Sequence, residues 1–118
     1  MNEEIVISCL MRDTKNSLTL IKDSGITPSH FLPGITQRAF AFLLNRTEQG
    51  LSIEPEEIYY ESPDLLKEFD GYISGLALFI QWRLNREVDG KLEQAIREMK
   101  HQSLIRNKTG KLKRIISK

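Results

Sequence analysis

The sequence predicts an all-α fold: a compact bundle of about six helices, the last long and basic. Three observations carry that expectation. Apolar residues recur at intervals of three and four, whereas the strict alternation of a half-buried strand is scarce. Prolines stand where helices begin, after Thr27, Glu54 and Ser62, and glycines stand where they end. At 118 residues the chain suits one domain, and it contains no internal repeat and no low-complexity linker.

The elements follow in order. EEIVISCLMRD opens with two acids, which suit the positive end of a helix, and places Ile5 and Cys9, with Val6 and Leu10, on one face. TKNSLTLIKDSG continues through Leu18, Leu20 and Ile21 and closes on Gly25, the residue that adopts a left-handed C-cap without strain. Thr27 followed by Pro28 pairs an N-cap with the residue best tolerated at the first helical position. A single short turn carrying Phe31 is predicted there, stopped by Pro33-Gly34.

From Ile35 to Gln49, Ile35, Ala39, Phe42 and Leu43 share a face that Phe40 and Leu44 widen, and Gly50 ends the helix. PEEIYYE is a short helix starting at Pro55. Tyr59 and Tyr60 lie about 100° apart on it, so both cannot point inward and one is expected at the surface. SPDLLKEF repeats the cap-and-proline device with Ser62 and Pro63. GYISGLALFIQWRLN is the most apolar helix and sets Ile73, Leu76, Ala77, Ile80 and Leu84 at helical spacing.

The last segment changes phase. Leu92, Ile96 and Met99 form a seam whose continuation falls on Ser103, Arg106 and Gly110, while apolar residues resume at Ile105, Leu112, Ile115 and Ile116. Gly110 costs about 1 kcal/mol inside a helix. Residues 1–100 are therefore expected to form the body, with 101–118 a basic helical extension. It either projects or bends back after Lys108-Thr109-Gly110.

Charge divides along the same line. Residues 100–118 hold seven bases and no acid, whereas residues 1–99 hold ten bases and 16 acids. Eight of those acids lie between Glu48 and Asp70 against one base, Lys67. No Gly-rich phosphate loop is present, and Cys9, His30 and His101 have no metal-ligand spacing, so neither cofactor nor metal is expected. Cys9 on an apolar helix face reads as a small hydrophobe, and Ser29-His30 lacks an orienting carboxylate, so no catalytic site is expected. The basic tail carries no aromatic residue, which argues against single-strand nucleic-acid binding; direct nucleic-acid binding is expected to be weak or none. The longest apolar run is too short for a membrane span. MNEE lacks a basic-then-apolar leader, and a lone cysteine suits a reducing compartment, so the cytoplasm is the expected location.

One stretch, ITPSHFLPGITQRAFAFLLNRTEQGLSIEPEEI, resembles the N-terminal domain of the bacterial DnaB-type replicative helicase. The points of likeness are Glu4 before an apolar helix with Ile7, Cys9 and Leu10, a P-x-x-F turn at Pro28 and Phe31, a helix around Phe40, and the step from Gly50 to Glu54. A fold of the same kind forms the C-terminal helicase-binding domain of the DnaG-type primase. LEQAIREMKHQSLIRNKTGKLKRI is similar to that domain's seam through Leu92, Ala95, Ile96, Met99 and Leu104, although the primase domain normally adds a further hairpin helix. The likeness spans roughly residues 3–106 and leans towards the primase.

It implies a non-catalytic domain that joins primase to the hexameric replicative helicase, with Pro28, Phe31 and Phe40 as structural anchors rather than ligand sites. The partner-binding residues are then expected in the extension: Leu104, Ile105, Arg106, Lys108, Lys111, Leu112, Lys113, Ile115 and Ile116. The alternatives are the helicase's own N-terminal collar domain, which would self-associate and meet primase, and a phage or plasmid protein that loads or inhibits the helicase by mimicry. A small nucleic-acid-binding protein using the basic tail is a further rival.

Overall fold

The computed structural model describes residues 1–116, with side chains through residue 108. Among the described residues there is no strand, and the chain runs through α1 (Asn2–Arg12), α2 (Thr14–Ser24), α3 (Ile35–Glu48), α4 (Pro55–Glu61), α5 (Asp64–Lys67), α6 (Gly75–Leu84) and α7 (Leu92–Ile116). Two short 3-10 turns, Pro28–His30 and Arg86–Val88, sit in the connections before α3 and α7. The all-helical expectation holds. The segment from Leu92 is one helix rather than a hairpin.

The bundle is organised around α1, which packs against α2, α3, α6 and α7. Sequence periodicity gives α1 a single apolar face, but Val6 through Met11 are all buried, six consecutive residues that exceed a full turn. The helix is enclosed on every side, which is why its apolar residues run together instead of keeping a stripe. Arg12, at its last turn, grips Asp89 with two nitrogens at 2.8 and 2.9 Å and donates to the Arg83 carbonyl at 2.8 Å. One side chain thereby ties α1 to the connection between α6 and α7.

The Thr27–Phe31 turn is built as its residues suggest. Gly25 caps α2 at φ 75°, and the Thr27 backbone N–H donates to His30 Nδ1 to close a capping box. Phe31 follows directly, 2% exposed, and stacks on Phe40 of α3 with ring centroids 4.5 Å apart. Its full burial is worth about 2 kcal/mol by area. Glu3 accepts from the Leu32 N–H and the Thr36 hydroxyl, fastening the turn to the start of α1.

The buried face of α6 differs from the expected one. Ser74 and Asp70 accept from Ala77 N and Gly75 N, so the helix begins at Gly75 and leaves Tyr72 and Ile73 outside it. Gly75, Phe79 and Trp82 face inward, with Phe69 and Phe42 packed on Phe79. Leu76, Ala77 and Ile80 are only half-buried, and Leu84 is 63% exposed. Gly75 explains the choice: a Cβ there would lie 1.9 Å from the Leu66 carbonyl oxygen, so only glycine lets α6 approach the α5 backbone. Tyr59 and Tyr60 are both exposed, where one was expected, because Pro55 and Ile58 form the inward face of α4.

Candidate interaction surface

The seam of α7 docks on the body where the spacing places it. Leu92, Ala95, Ile96 and Met99 are buried against α1 and α2. Beyond Met99 the same face carries Ser103 and Arg106, and both remain half-buried. Lys100 Nζ donates to the Ser24 carbonyl at 2.6 Å, and Arg106 Nη2 donates to the His30 carbonyl at 3.1 Å. Both acceptors end short helical pieces, where backbone carbonyls lack an intrahelical partner. Lys100 and, within the extension, Arg106 thus hold α7 against the body instead of standing free.

Other residues of this stretch are turned away. Leu104 is 60% and Ile105 49% exposed, adjacent to one another, with Lys108 exposed one turn later. Of the residues expected to bind a partner, Leu104, Ile105 and Lys108 are thus presented to solvent, whereas Arg106 is engaged with the body. The side chains of Lys111, Leu112, Lys113, Ile115 and Ile116 lie outside the described residues; their backbone belongs to α7. Among the expected anchors, Phe31 and Phe40 form the stacked pair and Pro28 is half-buried at the start of the turn. The engagement of Arg106 had a signal in the sequence, since it continues the helical phase of Leu92, Ile96 and Met99.

The acids between Glu48 and Asp70 are distributed rather than gathered. Glu54 and Glu56 accept from Arg83 at 2.6–2.7 Å, Glu61 accepts from Arg46 at 2.6 Å, and Asp64 pairs with Lys67 at 3.0 Å. The hydrogen bond from Arg83, with one from the backbone, holds the Glu56 carboxyl below its ordinary value, and the Arg83 guanidinium is correspondingly harder to deprotonate. Cys9 donates weakly to the Val88 carbonyl, and burial, with Asp89 nearby, pushes its thiol up to about 11. Burial of this kind disfavours the thiolate form.

A second surface lies on the outer side of α6, formed by residues that the helical spacing had placed on its buried face. Leu76, Ala77, Ile80 and Leu84 form it, and the fully exposed Tyr72 precedes it in the chain. A shallow hollow of about 270 Å³, lined by Tyr59, Pro63, Lys67, Asp70 and Leu76, opens beside it. Among the described residues no cluster of three His, Cys, Asp or Glu could hold a metal ion, and no helix is long and apolar enough to cross a membrane. Compared with protein-family models, curated proteins and solved structures, the chain matches none.

Proposed function

We propose that this chain is a docking domain of the DNA replication machinery that binds the hexameric replicative helicase through the free side of α7, in the manner of a primase's helicase-binding domain. The observation that carries the reading is the exposure of Leu104 and Ile105 side by side, directly after the turn in which Lys100 and Met99 bind the body. Apolar side chains held in the open on a rigid helix can enter a partner's groove, each worth about 1.5–3 kcal/mol if fully buried. The bases from Lys108 onward would steer that end onto an acidic face. The partner's identity rests on the resemblance at Glu4, Pro28, Phe31, Phe40 and Gly50–Glu54.

Light scattering of the chain mixed with the cognate hexameric helicase tests the proposal. Co-elution with the hexamer is expected, and Ile105→Asp is expected to abolish it while far-UV circular dichroism stays unchanged. Loss of helicity in that variant would mean Ile105 belongs to the core. Absence of any shift with the wild-type chain would refute the proposal.

A further inference from the structure

We propose that the Thr27–Phe31 turn is a proton-sensitive latch for the second half of α7, with the imidazole of His30 as its titrating part. The starting point is the capping box that closes the turn. Its third residue after the cap is usually Glu or Gln, whose side chain reaches back to the backbone N–H of the cap. Here that residue is His30. Its Nδ1 accepts from the Thr27 N–H at 3.1 Å, and Thr27 Oγ1 lies 3.2 Å from the same nitrogen. A neutral imidazole accepts on Nδ1 only while its proton sits on Nε2, whereas an imidazolium donates from both nitrogens and accepts on neither. Proton uptake therefore turns the bond that closes the box into two N–H groups facing each other. Histidine is the side chain that ordinarily makes this change between about pH 5 and 8.

His30 also carries the carbonyl that holds α7. Arg106 Nη2 donates to it at 3.1 Å, beyond the point where the buried seam ends at Met99. The turn is gripped unequally on its two sides. Towards α3, Phe31 stacks on Phe40, and Gln37 Nε2 donates to the Pro28 carbonyl at 3.0 Å and more weakly to that of Phe31. Towards α7, the bond from Arg106 is the one hydrogen bond among the described residues. A turn that loses its cap thus stays on α3 and yields on the side of α7. His30 and Arg106 line one hollow of about 320 Å³, and the other charged groups at its wall are Glu3 and Met1, which carries the terminal amine. From α3 the neutral Thr36 and Gln37 face the turn. An imidazolium in that hollow is repelled by Arg106 and attracted by Glu3, whose carboxylate is already engaged by the Leu32 N–H and the Thr36 hydroxyl. The direction of the switch rests on the lost acceptor. What it releases is the stretch of α7 after Met99, held to the body through Arg106 and the half-buried Ser103.

The experiment is a proton–nitrogen NMR titration of the full chain from about pH 8 to about pH 5. It follows the His30 ring nitrogens, the Thr27 amide and the Arg106 side chain. At the alkaline end the His30 proton is expected on Nε2. As the ring takes up a second proton, the Thr27 amide and Arg106 Nε–H are expected to shift with the same midpoint. Protection of the Thr27 amide, corrected for its intrinsic exchange rate, is expected to fall about fivefold, as the loss of one hydrogen bond implies. The amides of residues 103–108 are expected to gain mobility on the nanosecond scale. His30→Gln supplies an acceptor that does not titrate, and it is expected to abolish all of these changes while His101 still titrates. His30→Ala is expected to show the released state throughout, and if it fails to fold the glutamine variant carries the comparison. A His30 proton on Nδ1 at the alkaline end overturns the inference, as does a Thr27 amide indifferent to the protonation of His30. A Thr27 response without one in Arg106 and residues 103–108 overturns the link to α7. Changes that persist in His30→Gln belong to another group and overturn the role of His30. None of these readouts involves the helicase, so the latch and the docking proposal fail separately.

Discussion

α1 and α6 are the two most apolar short helices of the molecule, and they meet opposite fates. α1 is packed by four other helices, and its residues from Val6 to Met11 all lose their solvent. α6 is more apolar still, yet it buries only Gly75, Phe79 and Trp82 and leaves Leu84 largely open. Hydrophobicity is thus a property of the residue, whereas burial is a property of the place in the bundle. In α1, composition and position agree. In α6 they disagree along one face, where Leu84 stays largely open to solvent.

The largest expected effect lies in α1. Leu10→Ala removes a fully buried side chain from the axis of the bundle and is expected to cost about 2–5 kcal/mol in urea unfolding. If it cost no more than an exposed leucine, the contrast between the two helices would collapse. Gly75→Ala comes next. The added methyl meets the Leu66 carbonyl oxygen, so α6 must shift away from α5, at about 1–3 kcal/mol, although alanine is the better helix former. A gain in stability would show that the close approach is absent.

A smaller effect concerns the pairing that holds α6 to α4. Because Arg83 lowers the carboxyl of Glu56 from its ordinary value of 4.5, its stabilisation is present above that value and lost as pH falls through the lowered one. Glu56→Gln should therefore reduce the loss of stability on acidification from pH 5 to pH 3. Its cost at pH 7 should stay below about 1 kcal/mol, since the pair is half-exposed and Glu54 still holds Arg83. The smallest effect is expected on the outer face of α6: Leu84→Ala in dilute protein should lie within about 0.5 kcal/mol of wild type. A cost near that of Leu10→Ala would place Leu84 inside the fold.

How much was legible depended on whether the signal was local. Thr27, Pro28 and Gly25 act through their own backbones, so the short turn and the left-handed cap stand where the sequence puts them. The seam of Leu92, Ile96 and Met99 was readable because an amphipathic helix can bury only one of its faces. α6 was not readable in the same way. With apolar residues around its circumference, the spacing of Ile73, Leu76, Ala77, Ile80 and Leu84 is no better a guide than that of Phe79 and Trp82. The deciding contact, Gly75 against Leu66, joins residues whose proximity no local pattern encodes. The candidate surface on α7 divided similarly: the inward turn of Arg106 followed from phase, but its acceptor, the His30 carbonyl, lies 76 residues away, and Leu104, aligned with the seam by resemblance, is exposed.

By itself, then, the sequence determined the helical class, the Thr27–Pro28 turn, the Gly25 cap and the separation of an acidic body from a basic end. These rest on backbone preference, helical period and charge, all of which act over a few residues or add without regard to folding. Only the tertiary structure decided which face of α6 is buried, that α1 is enclosed on every side, and which bases of α7 are engaged with the body. Those outcomes depend on which surfaces compete for the same space, and that competition exists only once all seven helices are packed together.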